Sequence, residues 1–218
     1  MQALFVHGMG RSPLSGSLLL WKLHRAGLKA RVFGYMTTID HFSEITARLT
    51  SRISELAARD EYILIGHSLG GVLLRAAVNS LPAGTLPPRH LFLLGSPTRP
   101  ARLAELLKDN PLYRALTRDC GQMLASEERM NRIGPVSAPL TGVIGVRGFR
   151  SHHGPFGHEV NDGIVSVAEV SAAWITDEVA VPVVHTLLPS SRRVAEIILK
   201  RIEGSHPCRT NAPTTPAR

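Results

Sequence analysis

An alternating α/β fold around a mostly parallel central sheet is predicted by three observations. Apolar periodicity switches repeatedly between strand-like and helix-like segments. The strand-like runs are continuously apolar, as strands buried on both faces require. Several of these runs end in a glycine turn that leads into a helix-like stretch. The 218 residues fit one domain, and 44% hydrophobic against 19% charged residues suits a chain that buries a sizeable core, excluding disordered, collagen-like and coiled-coil classes.

Ala3 to Val6 reads as the first strand, ending in the turn His7-Gly8-Met9-Gly10. Leu14 to Ala26 reads as a helix stopped by Gly27, and Ala30 to Phe33 as the second strand, before Gly34. Phe42, Ile45, Leu49, Ile53 and Leu56 recur at spacings of three and four, which predicts an amphipathic helix over Asp40 to Arg59 with Asp40 as N-cap. Tyr62 to Ile65 is a buried strand, Leu69 to Ser80 a helix, and Leu91 to Leu94 a strand closed by Gly95-Ser96-Pro97. Between Thr98 and Pro139 the pattern breaks into two short helix-like pieces flanking Asn110-Pro111, read as an insertion over the sheet edge. Leu140 to Val146 returns to strand, and Arg147 to Asn161 is a Gly/His-rich loop. Val179 to Val184 is a last strand whose Pro182 suits an edge, and Val194 to Ile202 a closing helix. Residues 1–203 thus form one domain, and 204–218, proline-rich and without periodicity, a disordered tail.

Charge and composition narrow the function. The net charge of +8 is dispersed and aromatics are only 5%, whereas nucleic-acid binders concentrate cations and add stacking rings. No nucleic-acid partner is expected, and the basic residues read as a solvated surface. No stretch approaches the roughly 18 apolar residues of a membrane span, and the start has neither a basic region nor an apolar run of about 7 residues or more. A soluble, cytoplasmic chain is expected, without stable membrane insertion but compatible with interfacial contact. Cys120 and Cys208 match no disulfide framework or metal spacing.

The chemistry is concentrated in Gly66-His67-Ser68-Leu69-Gly70-Gly71. A bare G-x-S-x-G is weak, but here it joins an apolar strand to a helix, the context in which small flanking residues let a serine adopt a strained turn and project its Oγ. The following helix aims its N-terminal N–H groups at developing negative charge. An oxyanion needs at least two donors. The Leu69 N–H is one, and the turn after the first strand opens on the same sheet edge, so the Met9 N–H is assigned as the second.

Serine needs a base, and the base an acid. Of ten histidines, His185 stands directly after the last strand, where a loop can deliver an imidazole to Ser68. His152, His153 and His158 are rivals. As a metal cluster they fit no strong spacing, so no metal or cofactor is expected. Asp162, in Asn161-Asp162-Gly163-Ile164-Val165, is favoured as the acid, with Glu159, Glu169 and Asp177 as alternatives. The order Ser68, Asp162, His185 is the one expected where a nucleophile elbow serves such a triad.

With these residues the chain resembles the α/β-hydrolase superfamily, and most closely its small bacterial lipases and esterases. VHGMG, GHSLGG, NDGIVS and VVHTLL carry the resemblance and together span most of the chain. It implies a minimal α/β-hydrolase fold with a small helical cap insertion over 98–139, Asp162 as triad acid and His185 as base. It also implies a serine carboxylic-ester hydrolase acting on a small-molecule or lipid ester. Calcium-dependent members carry an aspartate two residues after the histidine. Leu187 stands there, so no calcium is expected. Leu106, Leu107, Leu112 and Tyr113 either line an acyl pocket under the cap or only pack the insertion onto the body. An amidase, thioesterase or acyltransferase would use the same triad, and a binding protein on a hydrolase scaffold is the non-enzymatic alternative.

Overall fold

The computed structural model describes residues 1–204; most of the expected tail, 205–218, lies outside the described residues. Six strands alternate with helices. They are β1 (Gln2–Val6), α1 (Ser17–Arg25), β2 (Lys29–Phe33), α2 (Phe42–Ala57), β3 (Tyr62–His67), α3 (Leu69–Asn79) and β4 (His90–Leu94). Then come α4 (Arg102–Leu107), α5 (Pro111–Leu124), α6 (Glu127–Ile133), β5 (Leu140–Gly145), α7 (Val167–Val170), β6 (Asp177–Val181) and α8 (Arg192–Gly204). The strands form one sheet in the order β2-β1-β3-β4-β5-β6, and every adjacent pair is parallel. All six strands therefore point their C-terminal ends, and the turns that follow, to the same edge.

The strand period of two sorts the core into two layers. Leu4, Val6 and Leu64 face α2 and α3, while Ala3, Phe5, Ile63 and Ile65 face α1 and α8. The stripe Phe42, Ile45, Leu49, Ile53 and Leu56 is buried as its spacing requires. Each fully buried leucine or isoleucine stabilises by about 1.5–3 kcal/mol, so both layers hold the sheet's C-terminal edge as a rigid platform.

Several local expectations change. The first helix is split: Pro13–Gly16 is 3-10 helix and only Ser17–Arg25 is α, because Gly16 closes on Phe5 so tightly that a Cβ would stand 2.4 Å from its ring. Asp40 does not cap α2; its carboxylate accepts from Met36 N–H at 2.9 Å and pairs with Arg48, while Glu44 accepts from His41 N–H. The 98–139 segment holds three helices rather than two, and α5 is kinked at Arg118, whose φ of 43° and ψ of −128° are non-helical. β6 ends at Val181, so Pro182 lies just beyond the strand, and α7 is an unexpected single turn. Among the described residues no helix is long and apolar enough to cross a membrane.

Candidate active site

The site is built where β3 turns into α3. Ser68 has φ 51° and ψ −123°, a left-handed conformation that costs a side-chain-bearing residue about 1–3 kcal/mol. Its neighbours enforce the turn. A Cβ on Gly66 would stand 2.4 Å from the Gly71 Cα, and one on Gly70 would stand 2.2 Å from the Val6 carbonyl oxygen, so neither position tolerates a side chain. The Ser68 N–H is tied to the Leu94 carbonyl of β4 at 2.9 Å. Ser68 thus sits at the middle of the sheet's C-terminal edge, with the N-terminus of the eleven-residue α3 directly behind it.

The close approach of Gly70 to β1 brings the His7-Gly8-Met9-Gly10 turn beside the serine. A Cβ on Gly8 would lie 3.1 Å from the Ser68 Cβ, and Met9 and Ser68 line one cavity. The turn is braced from behind. The His7 ring stacks on Tyr35 at 4.3 Å with 3° between the planes, and the Tyr35 hydroxyl donates to the His7 carbonyl at 2.8 Å. Burial pushes the His7 imidazole pKa down, against the hydrogen bond to the Gly8 carbonyl that pulls it up. Tyr35 carries no sequence signal for this role, because nothing local marks a tyrosine after a glycine as a brace for a turn twenty-eight residues earlier.

His185 and Asp162 meet across the ends of β4 and β5. His185 Nδ1 lies 2.6 Å from Asp162 Oδ2, and both residues are buried. The other carboxylate oxygen, Oδ1, accepts from Ile164 N–H at 3.0 Å and Val165 N–H at 2.9 Å, and His185 N–H donates to the Asp162 carbonyl at 2.9 Å. The carboxylate is thus fixed at both oxygens. The imidazole donates its Nδ1 proton, leaving Nε2 with the basic lone pair. Gly95 makes room, with φ at +55°: a Cβ there would stand 3.0 Å from His185 Nδ1 and 3.1 Å from Asp162 Oδ2. Because Gly95 directly follows Leu94, which binds the Ser68 N–H, the pair lies against the strand next to the serine.

His67, adjacent to Ser68, is buried with its Nε2 3.0 Å from the His185 carbonyl and its ring 4.8 Å from the His185 ring. Desolvation holds its pKa well below the ordinary value, helped by the neighbouring His185.

The alternative acids and bases are occupied elsewhere. Glu159 pairs with Arg102 at 2.9 Å, and the buried Glu169 carboxylate accepts from the N–H groups of Arg102 and Ser166. Asp177 starts β6 at the opposite edge, bonded to Arg201 and Thr141. His152 and His158 contact each other on an exposed loop, and His153 is exposed beside them. No group of three or more His, Cys, Asp or Glu side chains is arranged to hold a metal among the described residues.

A cavity of about 170 Å³ opens over Ser68. An apolar void of about 150 Å³ holds a benzene ring, so this one suits a small apolar group. Its walls come from Met9, Pro97, Ala101, Leu103, Ala104 and Leu107, with Tyr113, Leu124, Ile164 and Val165 closing it. Of the four pocket residues expected from sequence, the structure places Leu107 and Tyr113 there and not Leu106 or Leu112, which are 65% and 68% exposed. The reason is helical phase: on α4 the inward stripe is Leu103, Ala104 and Leu107, which leaves Leu106 outside, and on α5 Tyr113 and Thr117 turn inward, which leaves Leu112 outside. Larger clefts lie away from the site, lined by Phe42, Ala76 and Ser80, without a serine–histidine pairing.

Chemically, this constellation offers a half-buried serine hydroxyl on a strained turn, an imidazole hydrogen-bonded to a carboxylate, a second turn beside the serine and a small apolar chamber. No protein-family model matches the chain, and no curated protein matches it. Solved structures do. A metagenomic carboxyl esterase superposes with a TM-score of 0.73 at 16% identity, over 94% of this chain and 76% of that one. One of the two metagenome-derived lipolytic enzymes LipS and LipT gives 0.63 at 15% identity, over 93% of each chain. The RedJ thioesterase of prodiginine biosynthesis in Streptomyces coelicolor gives 0.55 at 16%, over 94% and 86%. The chain has the α/β-hydrolase fold.

Proposed function

We propose that this α/β-hydrolase-fold chain is a serine carboxylic-ester hydrolase. The observation that carries the reading is the 2.6 Å bond from His185 Nδ1 to Asp162 Oδ2, set against the strand beside a strained Ser68. In the proposed reaction Ser68 Oγ attacks the acyl carbonyl while His185 Nε2 takes the hydroxyl proton. Asp162 holds the ring and stabilises the imidazolium, and the Met9 and Leu69 N–H groups bind the oxyanion. His185 then gives its proton to the leaving alcohol, and the acyl-serine is hydrolysed by a water that His185 deprotonates. No cofactor enters any of these steps. Residues 98–139 serve as the cap of a single domain, and Leu103, Leu107, Tyr113 and Ile164 shape the acyl chamber.

The test is hydrolysis of p-nitrophenyl esters from acetate to palmitate, with emulsified triglyceride as a further substrate, run beside Ser68→Ala. Ser68→Ala should lose about 10³-fold or more of the rate while remaining folded, and a chamber of this size favours short acyl chains. A Ser68→Ala enzyme with wild-type turnover would end the assignment. The likeness to the RedJ thioesterase favours a thioester substrate as the second reading. Amidase and acyltransferase activities use the same triad, and mass spectrometry of products formed with an added alcohol separates transfer from hydrolysis.

A further inference from the structure

Large apolar side chains are not scattered evenly over the surface. Of the fifteen that are exposed among the described residues, eleven lie on the segments that follow the strands at their C-terminal edge, the edge at which Ser68 stands. Leu14, Met36, Phe149 and Leu187 come from four different segments and are 55% to 83% exposed. Leu107 and Ile164 belong both to this rim and to the cavity wall. Leu86 alone lies in a loop at the opposite edge.

Charge is polarised the same way. The same segments carry seven exposed cations that form no ion pair among the described residues, including Arg11, Arg99, Arg114, Arg147 and Arg150. Asp40, Asp119, Glu128, Glu159, Asp162 and Glu169 on these segments are each engaged, leaving Glu105, Asp109 and Glu127 without an ion pair among the described residues. At the opposite edge Glu61 pairs with Arg89 at 2.9 Å and Asp177 with Arg201 at 2.8 Å.

We propose that this rim docks the molecule onto an anionic lipid surface, with the mouth of the Ser68 cavity turned toward the lipid. Apolar side chains projecting from separate loops form no groove for a helix or strand, but they can each enter the acyl boundary while neighbouring arginines meet lipid phosphates. A second copy of the chain is a poor occupant, since a symmetric contact would set the same unneutralised cations against each other. No transmembrane segment is needed, so the contact is peripheral and salt-sensitive. The inference extends the hydrolase reading by placing its substrate at a lipid surface, yet the binding itself is independent of turnover.

The experiment uses the full chain carrying Ser68→Ala, so that vesicles are not consumed, in cosedimentation with phosphatidylglycerol/phosphatidylcholine or pure phosphatidylcholine vesicles. Binding to the anionic vesicles should be at least tenfold tighter and should weaken at least tenfold between 0.05 and 0.5 M salt. The combined variant Leu14→Ser/Met36→Ser/Phe149→Ser, placed in the otherwise wild-type chain, should hydrolyse soluble p-nitrophenyl acetate at the wild-type rate. In the Ser68→Ala background it should lose vesicle binding at least tenfold. Equal partitioning to both vesicle types, or undiminished binding by the triple variant, would overturn the proposal. So would sedimentation showing a dimer that the triple variant dissolves. Failure of the hydrolase reading registers separately, as absent ester turnover in the wild-type chain.

Discussion

Ser68→Gly and Ser68→Ala should separate in stability although both remove the hydroxyl. Ser68 holds φ 51° and ψ −123°, a region that glycine enters freely and every other residue enters at about 1–3 kcal/mol. Alanine keeps that cost. Glycine releases it, but its more flexible unfolded chain takes back about 0.5–1 kcal/mol. The balance leaves the glycine variant more stable than the alanine variant by about 1 kcal/mol, which for a chain of this size is about 2–4 °C in Tm. Thermal unfolding followed by circular dichroism, checked by urea midpoints, reads the difference directly, and both variants should be inactive on esters. A glycine variant that melts at or below the alanine variant would mean that the turn is not strained at Ser68, and would remove the physical basis for reading it as an imposed nucleophile turn. Arg118, at φ 43° and ψ −128°, offers a second site for the same argument. Arg118→Gly should also stabilise, less the bond that its guanidinium makes to the Thr38 carbonyl.

Asp162→Asn should lower kcat by about 10²–10⁴-fold with little change in KM, because an amide cannot stabilise the imidazolium and favours the wrong tautomer. Glu159→Gln should be close to silent, and the reverse pattern in steady-state kinetics would move the acid to Glu159. Folding stability should fall as the pH drops below about 6.5. Burial depresses the pKa of His7, His67 and His90, so the unfolded chain binds the protons that the folded chain refuses. Each such histidine contributes a slope of up to about 1.4 kcal/mol per pH unit from 6.5 down to its folded value, and urea midpoints at pH 7.5 and 5.5 that coincide would refute this. The Cys120 thiol is buried and pushed up to about 12, so in a Cys208→Ser chain it should resist Ellman's reagent until denaturant is added. Prompt labelling of the native chain would show that the α5 region opens.

The order and type of the main elements could be read in the chain because they rest on short-range causes. Period-two and period-3.6 burial, glycine turns at strand ends and the stripe from Phe42 to Leu56 are all properties of contiguous residues. GHSLGG was legible for the same reason: strand, small residues and helix lie within one window, and the steric demand at Gly66 and Gly70 is a demand on neighbours. What sequence could not settle were choices made by distant parts of the chain. Asp40 sits at the right place to cap α2, but Arg48 and the Met36 N–H claim its carboxylate. Leu106 and Leu112 look as apolar as Leu107, yet which face of each short helix turns inward depends on where the sheet lies beneath it. The kink at Arg118, the Tyr35 brace behind His7 and the bond from His67 to the His185 carbonyl join segments that are far apart in the chain. The pairing of His185 with Asp162 rather than with another partner is likewise geometric: two glycines, Gly95 and Gly145, leave space over the ends of β4 and β5 that only the folded sheet defines. Sequence by itself determined which elements form and which residue types could do the chemistry. Tertiary structure decided which of those residues meet, because hydrogen-bond partners and inward faces are set by packing across the sheet edge rather than by neighbours along the chain.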